Sequence, residues 1–230
     1  MNLKAIRQSD SHQGFALITG ASAGLGEEFA RQLAAMRKPL ILVARREARL
    51  QSIAASLRKQ HDIQVEIITA DLSVPHAAED IANVCASKGW QVEWLVNNAG
   101  IAGPDLLKDR DWQAQQTFFQ LMMLSVADLC HRFVPKMADR GYGRVINVAS
   151  VAARIPRSGG CNYGPAKAYL VAMSAELHLT VVPSGVNVSA LCPGFTHTDF
   201  HETAGLMEMK NKMAKWLWYD AEVGVEDATD

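Results

Sequence analysis

The stretch Thr19-Gly20-Ala21-Ser22-Ala23-Gly24-Leu25-Gly26, "TGASAGLG", stands between a short apolar run, Phe15–Thr19, and a segment with helical spacing. That segment, Leu25–Arg37, carries Phe29, Leu33 and Met36 on one face. A strand, a glycine-rich turn and a helix in this order make a seat for a dinucleotide. One glycine permits the tight turn, one lets a pyrophosphate approach the backbone, and one lets helix pack closely on strand. The helix N-terminus then offers N–H groups and the positive end of its dipole to the phosphates. Glycines alone carry little weight; their place between a first strand and a first helix carries much more.

Outward from this turn the same alternation continues. Apolar runs at 39–44, 65–70, 93–98, 143–150 and 186–194 read as further strands, and their near-continuous Val, Ile and Leu predicts burial on both faces, as in a parallel sheet. Helical patterns cover Glu47–His61, Asp111–Val134 and about 158–182. Strand and helix in alternation predict an α/β fold with a doubly wound parallel sheet. No repeat, linker or low-complexity tract interrupts it, so the 230 residues read as one domain.

Composition excludes several classes of function. A net charge of −1 without a basic run argues against nucleic acid or an anionic membrane as partner. The N-terminus lacks a signal peptide's apolar core, and no apolar run is long enough to span a bilayer. Cys85, Cys130, Cys161 and Cys192 are scattered, and the histidines lack ligand spacing, which predicts free thiols, a cytoplasmic location and no metal.

T-G-x-x-x-G-x-G resembles the short-chain dehydrogenase/reductase family, and further motifs follow in the family's order from about Gly14 to Trp218. Asn98-Ala99-Gly100 resembles its N-A-G motif, Asp71-Leu72 its adenine-contacting pair, and Pro193-Gly194 with Thr196 and Thr198 its loop at the nicotinamide end. The resemblance implies a Rossmann-type domain, with about 14–200 as nucleotide-binding and catalytic core and 201–218 as substrate lid. It places cofactor contacts at Gly20, Ser22, Ala23, Gly24, Leu25 and Gly26. At the end of the second strand, Ala44 stands where an acid would accept hydrogen bonds from the ribose of NAD, and Arg45 and Arg46 follow. Guanidinium groups suit a 2′-phosphate, so the corner predicts NADP(H) over NAD(H), with Arg45 as main contact.

Tyr163 and Lys167, in "YGPAK", lie about one helical turn apart, and Ser150 precedes Tyr163 by thirteen residues. They resemble the family's catalytic tyrosine, lysine and serine. A free tyrosine ionises near pH ~10; a neighbouring ammonium favours its phenolate, so Tyr163 can trade a proton with a carbonyl or alcohol oxygen while Ser150 bonds the same oxygen. Lys167 and Tyr163 would also meet the nicotinamide ribose. The implied activity interconverts a ketone or aldehyde and its alcohol.

Two departures qualify the resemblance. Counting back thirteen from Pro135 gives Met122 where many members carry an asparagine, and a thioether cannot replace that amide in a proton relay. Gln120, Ser125 or a backbone carbonyl are the candidate substitutes, and reduced turnover is expected. Secondly, the chain ends at Asp230 within an expected helix, leaving no sequence for a seventh strand. The expectation is a homodimer through the family's fourth and fifth helices, with a weakened tetramer. Met207, Met209, Met213, Trp216 and Trp218 give the expected lid an apolar character. The rival reading is a nucleotide-binding sensor or partner subunit with little catalysis.

Overall fold

Burial along the strands follows their place in the sheet. A computed structural model describes residues 13–156, 161–196 and 218–219. Its strands are β1 (Phe15–Thr19), β2 (Leu40–Ala44), β3 (Val65–Thr69), β4 (Val92–Asn97), β5 (Gly143–Val148) and β6 (Val186–Leu191). They form one parallel sheet in the order β3-β2-β1-β4-β5-β6. β1 and β4 are buried throughout, whereas the edge strands β3 and β6 are half open. Continuous apolar runs thus belong to strands covered on both faces.

The period-2 geometry of a strand divides the core in two. Leu17, Ile41, Val43, Leu95 and Val145 face one side, where they meet Ile81, Leu129, Phe133 and Leu170. Ala16, Ile18, Leu42, Val96 and Ile146 face the other, against Phe29, Leu33 and Leu50. The second side is covered by α1 (Gly24–Ala35) and α2 (Glu47–His61). The first is covered by α3 (Ala77–Ser87), by α4 (Trp112–Phe119) running through a π turn (Gln120–Leu124) into α5 (Ser125–Asp139), and by α6 (Tyr163–Val181).

Three details differ from the sequence reading. α3 was not anticipated, although Ala78, Ile81, Ala82 and Cys85 make a buried stripe at helical spacing. The predicted helix Asp111–Val134 continues through Pro135 to Asp139. An interior proline costs about 3 kcal/mol, but burial of Phe133, Val134 and Met137 around it gains roughly 1.5–3 kcal/mol each. Finally, α6 begins at Tyr163, which puts the phenol in its first turn.

Beyond β6, Phe195–Thr196 (β7) pairs in parallel with Trp218–Tyr219 (β8). No seventh strand joins the main sheet among the described residues. Thr198 and the expected lid, apart from Trp218, lie outside those residues. No described helix is long and apolar enough to cross a membrane.

Candidate active site

The nucleotide end of the cleft opens where the sheet order reverses, between β1 and β4, a position that open α/β sheets use for ligands. Two side chains stitch these strand ends together. Thr19 Oγ1 accepts the Asn98 and Ala99 N–H groups at 2.9 and 3.1 Å and donates to the Val96 carbonyl at 3.3 Å. Asn98 Nδ2 donates back to the Thr19 and Gly20 carbonyls at 2.9 and 3.3 Å. Gly20 has φ +66°, in the left-handed region. A Cβ on Gly26 would run into the Gly20 carbonyl oxygen and the Asn98 amide. The glycines therefore answer to a backbone-on-backbone approach as well as to a ligand.

The residue capping α1 is Ala23, which has no side-chain acceptor for the first-turn N–H groups. Those donors are left for an external anion. Glu27, in the same turn, is held by Arg49 at 2.9 Å, which offsets a charge that would repel phosphate. The arrangement fits a dinucleotide pyrophosphate.

At the end of β2 the two arginines take different directions. Arg46 Nη2 donates to the Ser22 Oγ and carbonyl oxygen at 3.0 and 3.1 Å, folding the guanidinium over the glycine-rich turn. Arg45 is exposed and its charge acts on Asp71. Burial opposes ionisation of Asp71, but bonds from the Ser73 N–H and hydroxyl, with Arg45, outweigh it and hold the carboxyl below its usual range. Leu72 buries its side chain in the core. Ala23, Gly24, Leu25, Gly100, Pro193 and Gly194 are half-buried around the cleft, and Thr196 is placed by its backbone in β7.

The catalytic end is built from β5, α6 and the loop after β6. Ser150 caps the 3₁₀ turn Val151–Ala153, its Oγ accepting the Ala152 N–H at 3.1 Å. The Ala149 and Val151 N–H groups bond the Leu191 and Pro193 carbonyls, tying this segment to the loop that carries Gly194. Lys167 is 5% exposed; its Nζ donates to the Val148 carbonyl at 2.6 Å and lies 5.7 Å from the Tyr163 ring centroid. Burial pulls its pKa down to about 8, with Cys192 acting in the opposite direction. The ammonium therefore persists at neutral pH beside the half-buried phenol.

Met122 is fully buried in the π turn, and its Sδ accepts the Ile101 N–H at 3.3 Å. Of the substitutes considered for it, Ser125 turns its hydroxyl to the Leu121 carbonyl at 2.8 Å. Sequence reasoning also missed Gln115 on α4. It is buried, and its Oε1 accepts from Asn162, the residue before Tyr163, at 3.3 Å. A β-bridge between Asp105 and Cys161 adds a second tie to the start of α6. Neither has a signal in local spacing, because both pair residues far apart in the chain.

Comparison with known proteins accounts for this architecture. Residues 14–208 match the family model described as short chain dehydrogenase. Sulfoacetaldehyde reductase 2 of Chromohalobacter salexigens is 31% identical over 186 residues, which is 80% of this chain and 73% of that protein. A short-chain dehydrogenase from Sphingobium yanoikuyae in complex with NADPH superposes with a TM-score of 0.86 at 29% identity, covering 94% of this chain and 82% of that one. The bulky-bulky ketone specific alcohol dehydrogenase from Comamonas testosteroni gives 0.82 at 26%, covering 95% and 82%. The chain belongs to the short-chain dehydrogenase family and is an oxidoreductase of the alcohol–carbonyl class.

Proposed function

We propose that this short-chain dehydrogenase is an NADP(H)-dependent enzyme that interconverts a ketone or aldehyde and its alcohol, with Tyr163, Lys167 and Ser150 as catalytic residues. The observation that carries the reading is the buried Lys167 ammonium against the Tyr163 ring, beside a cleft whose nucleotide end carries a pre-folded Arg46. NADPH, when bound, supplies the hydride that reaches the carbonyl carbon. Tyr163 gives its hydroxyl proton to the carbonyl oxygen, and Lys167 stabilises the phenolate left behind. Ser150 holds that oxygen as negative charge gathers on it. In the oxidative direction each transfer reverses.

Preference for NADP(H) rests on the arginine pair and on the missing acid at Ala44. Arg45, the main contact expected from the sequence, and Arg46, held over the glycine-rich turn by Ser22, are the two candidates for the 2′-phosphate. The pre-folded Arg46 is favoured here, while the charge of Arg45 acts on Asp71. The Sphingobium relative's NADPH complex agrees with this. A bulky apolar substrate suits the exposed Leu106, Leu107 and Ile155 on the loops beyond β4 and β5, with the exposed Trp112 at the start of α4. A groove of about 480 Å³ between α5 and α6, lined by His131, Val134, Met173 and Leu177 among others, is the surface for the homodimer. A cytoplasmic location completes the reading.

The deciding experiment follows NADPH and NADH absorbance over a panel of carbonyls and alcohols in both directions. Turnover with NADPH that exceeds turnover with NADH is the expected result. The second reading, a nucleotide-binding subunit without catalysis, is favoured by Met122, which cannot provide an amide's hydrogen bonds. Tight NADPH binding by fluorescence with no turnover on any substrate would select it.

A further inference from the structure

Gly100 lies between two groups, and a larger residue would crowd the one on its Met122 side. A Cβ there would stand 3.2 Å from Met122 Sδ and 3.8 Å from Lys167 Nζ. The thioether and the ammonium thus lie against the same piece of backbone, and the thioether belongs to an apolar cluster with Phe118 and Ala166. The next N–H, that of Ile101, has to be satisfied by protein or by water. Met122 satisfies it with sulfur at 3.3 Å from a site that is 1% exposed. Unlike an amide or carboxylate, a thioether brings no further strong donors or acceptors, and a buried water needs two to four polar partners.

We propose that Met122 is a positioning residue that keeps Lys167 dry. By accepting the Ile101 N–H through sulfur, it occupies that donor beside the ammonium and offers water no strong donor or acceptor of its own. The proposal rests on the assignment of Lys167 as the partner of Tyr163. The π turn brings Met122 to this place, and such turns recur at functional sites. The titratable groups that act on Lys167 are Tyr163 on its own helix and Cys192 beyond β6, while β5 contributes the uncharged Val148 carbonyl. Burial is the larger influence on its proton affinity, so admitting water is the change to which it responds most.

The test is a pH titration of the full chain carrying ¹³C-labelled lysine, with Lys167→Met to assign the signal. Met122→Leu keeps the volume and removes the acceptor, and Met122→Asn introduces an amide that can hold water. The wild-type midpoint is expected near 8. Both variants should raise it by about one unit, the asparagine more than the leucine. The alkaline limb of the kcat profile should move with it, while KM for NADPH stays constant. An unchanged midpoint in Met122→Leu overturns the proposal, because the side chain would then only fill space. Should the variants not fold, hydrogen exchange of the wild-type Ile101 amide decides: slow exchange supports the thioether bond, and exchange at the rate of exposed loops overturns it. The midpoint is read without turnover, so a harmless Tyr163→Phe would remove the catalytic assignment while leaving this result standing.

Discussion

The two ends of the cleft handle charge in opposite ways. At the nucleotide end the protein ties up its own carbonyls and hydroxyls through Thr19 and Asn98 and leaves the first N–H groups of α1 uncapped. At the catalytic end it takes a lysine out of water and gives it one carbonyl and the face of a phenol. The first arrangement attracts an anion by keeping donors available. In the proposed mechanism the second makes a proton mobile by denying solvation to its neighbour. On the proposed reading binding depends on exposure and chemistry on burial, and the two should separate under mutation.

The sharpest separation is expected from Tyr163→Phe. It should lower kcat by about 10²–10⁴-fold and weaken NADPH far less, by no more than the loss of one ribose contact, in a fluorescence titration. A parallel loss of binding would erase the distinction between the ends. Arg46→Ala should do the reverse, weakening NADPH by about 10–100-fold, the equivalent of one or two charge-assisted bonds. NADH affinity and kcat at saturation should stay near parent values. If Arg45→Ala has the larger effect, the 2′-phosphate sits on the adenine side instead.

Gly26→Ala tests the backbone approach beneath the nucleotide end. The added methyl meets the Gly20 carbonyl and the Asn98 amide, and the expected loss is about 1–3 kcal/mol in urea unfolding. The smallest effect concerns pH. Lys167 has its folded pKa lowered to about 8 from an ordinary 10.5, so between these values the unfolded chain binds more protons than the native one. Stability from this group therefore rises with pH across that window, and its burial penalty is complete below pH 8. Wild type minus Lys167→Met should show this upward slope in unfolding free energy. Catalysis runs the other way, since reduction should slow above pH about 8 as the ammonium is lost.

Legibility in the sequence follows the range of the interactions. The glycine-rich turn, the Tyr163–Lys167 spacing and the apolar strands are local patterns, and they carried the fold class and the sheet. α3 was overlooked because its stripe is made largely of alanines, whose apolar signal is faint against the intervening Glu79, Asp80 and Asn83. The continuation through Pro135 was hidden because helix-breaking is a local rule, whereas burial of Met137 is decided by tertiary packing. The different directions of Arg45 and Arg46 need the three-dimensional position of Ser22, twenty-four residues from Arg46. Gln115 with Asn162, and Met122 with Ile101, are likewise pairings that no spacing rule connects.

The stitch between Thr19 and Asn98 has a consequence for how the molecule comes into being. Its partners are 79 residues apart, and β1 lies between β2 and β4 in the sheet. During synthesis the glycine-rich turn has no counterpart until β4 and the residues after it have left the ribosome. The pairing pays a long loop closure before any return, so it belongs to the slow, late steps of assembly. An N-terminal fragment ending before Asn98 would hold every glycine of the turn and still lack the surface that fixes it.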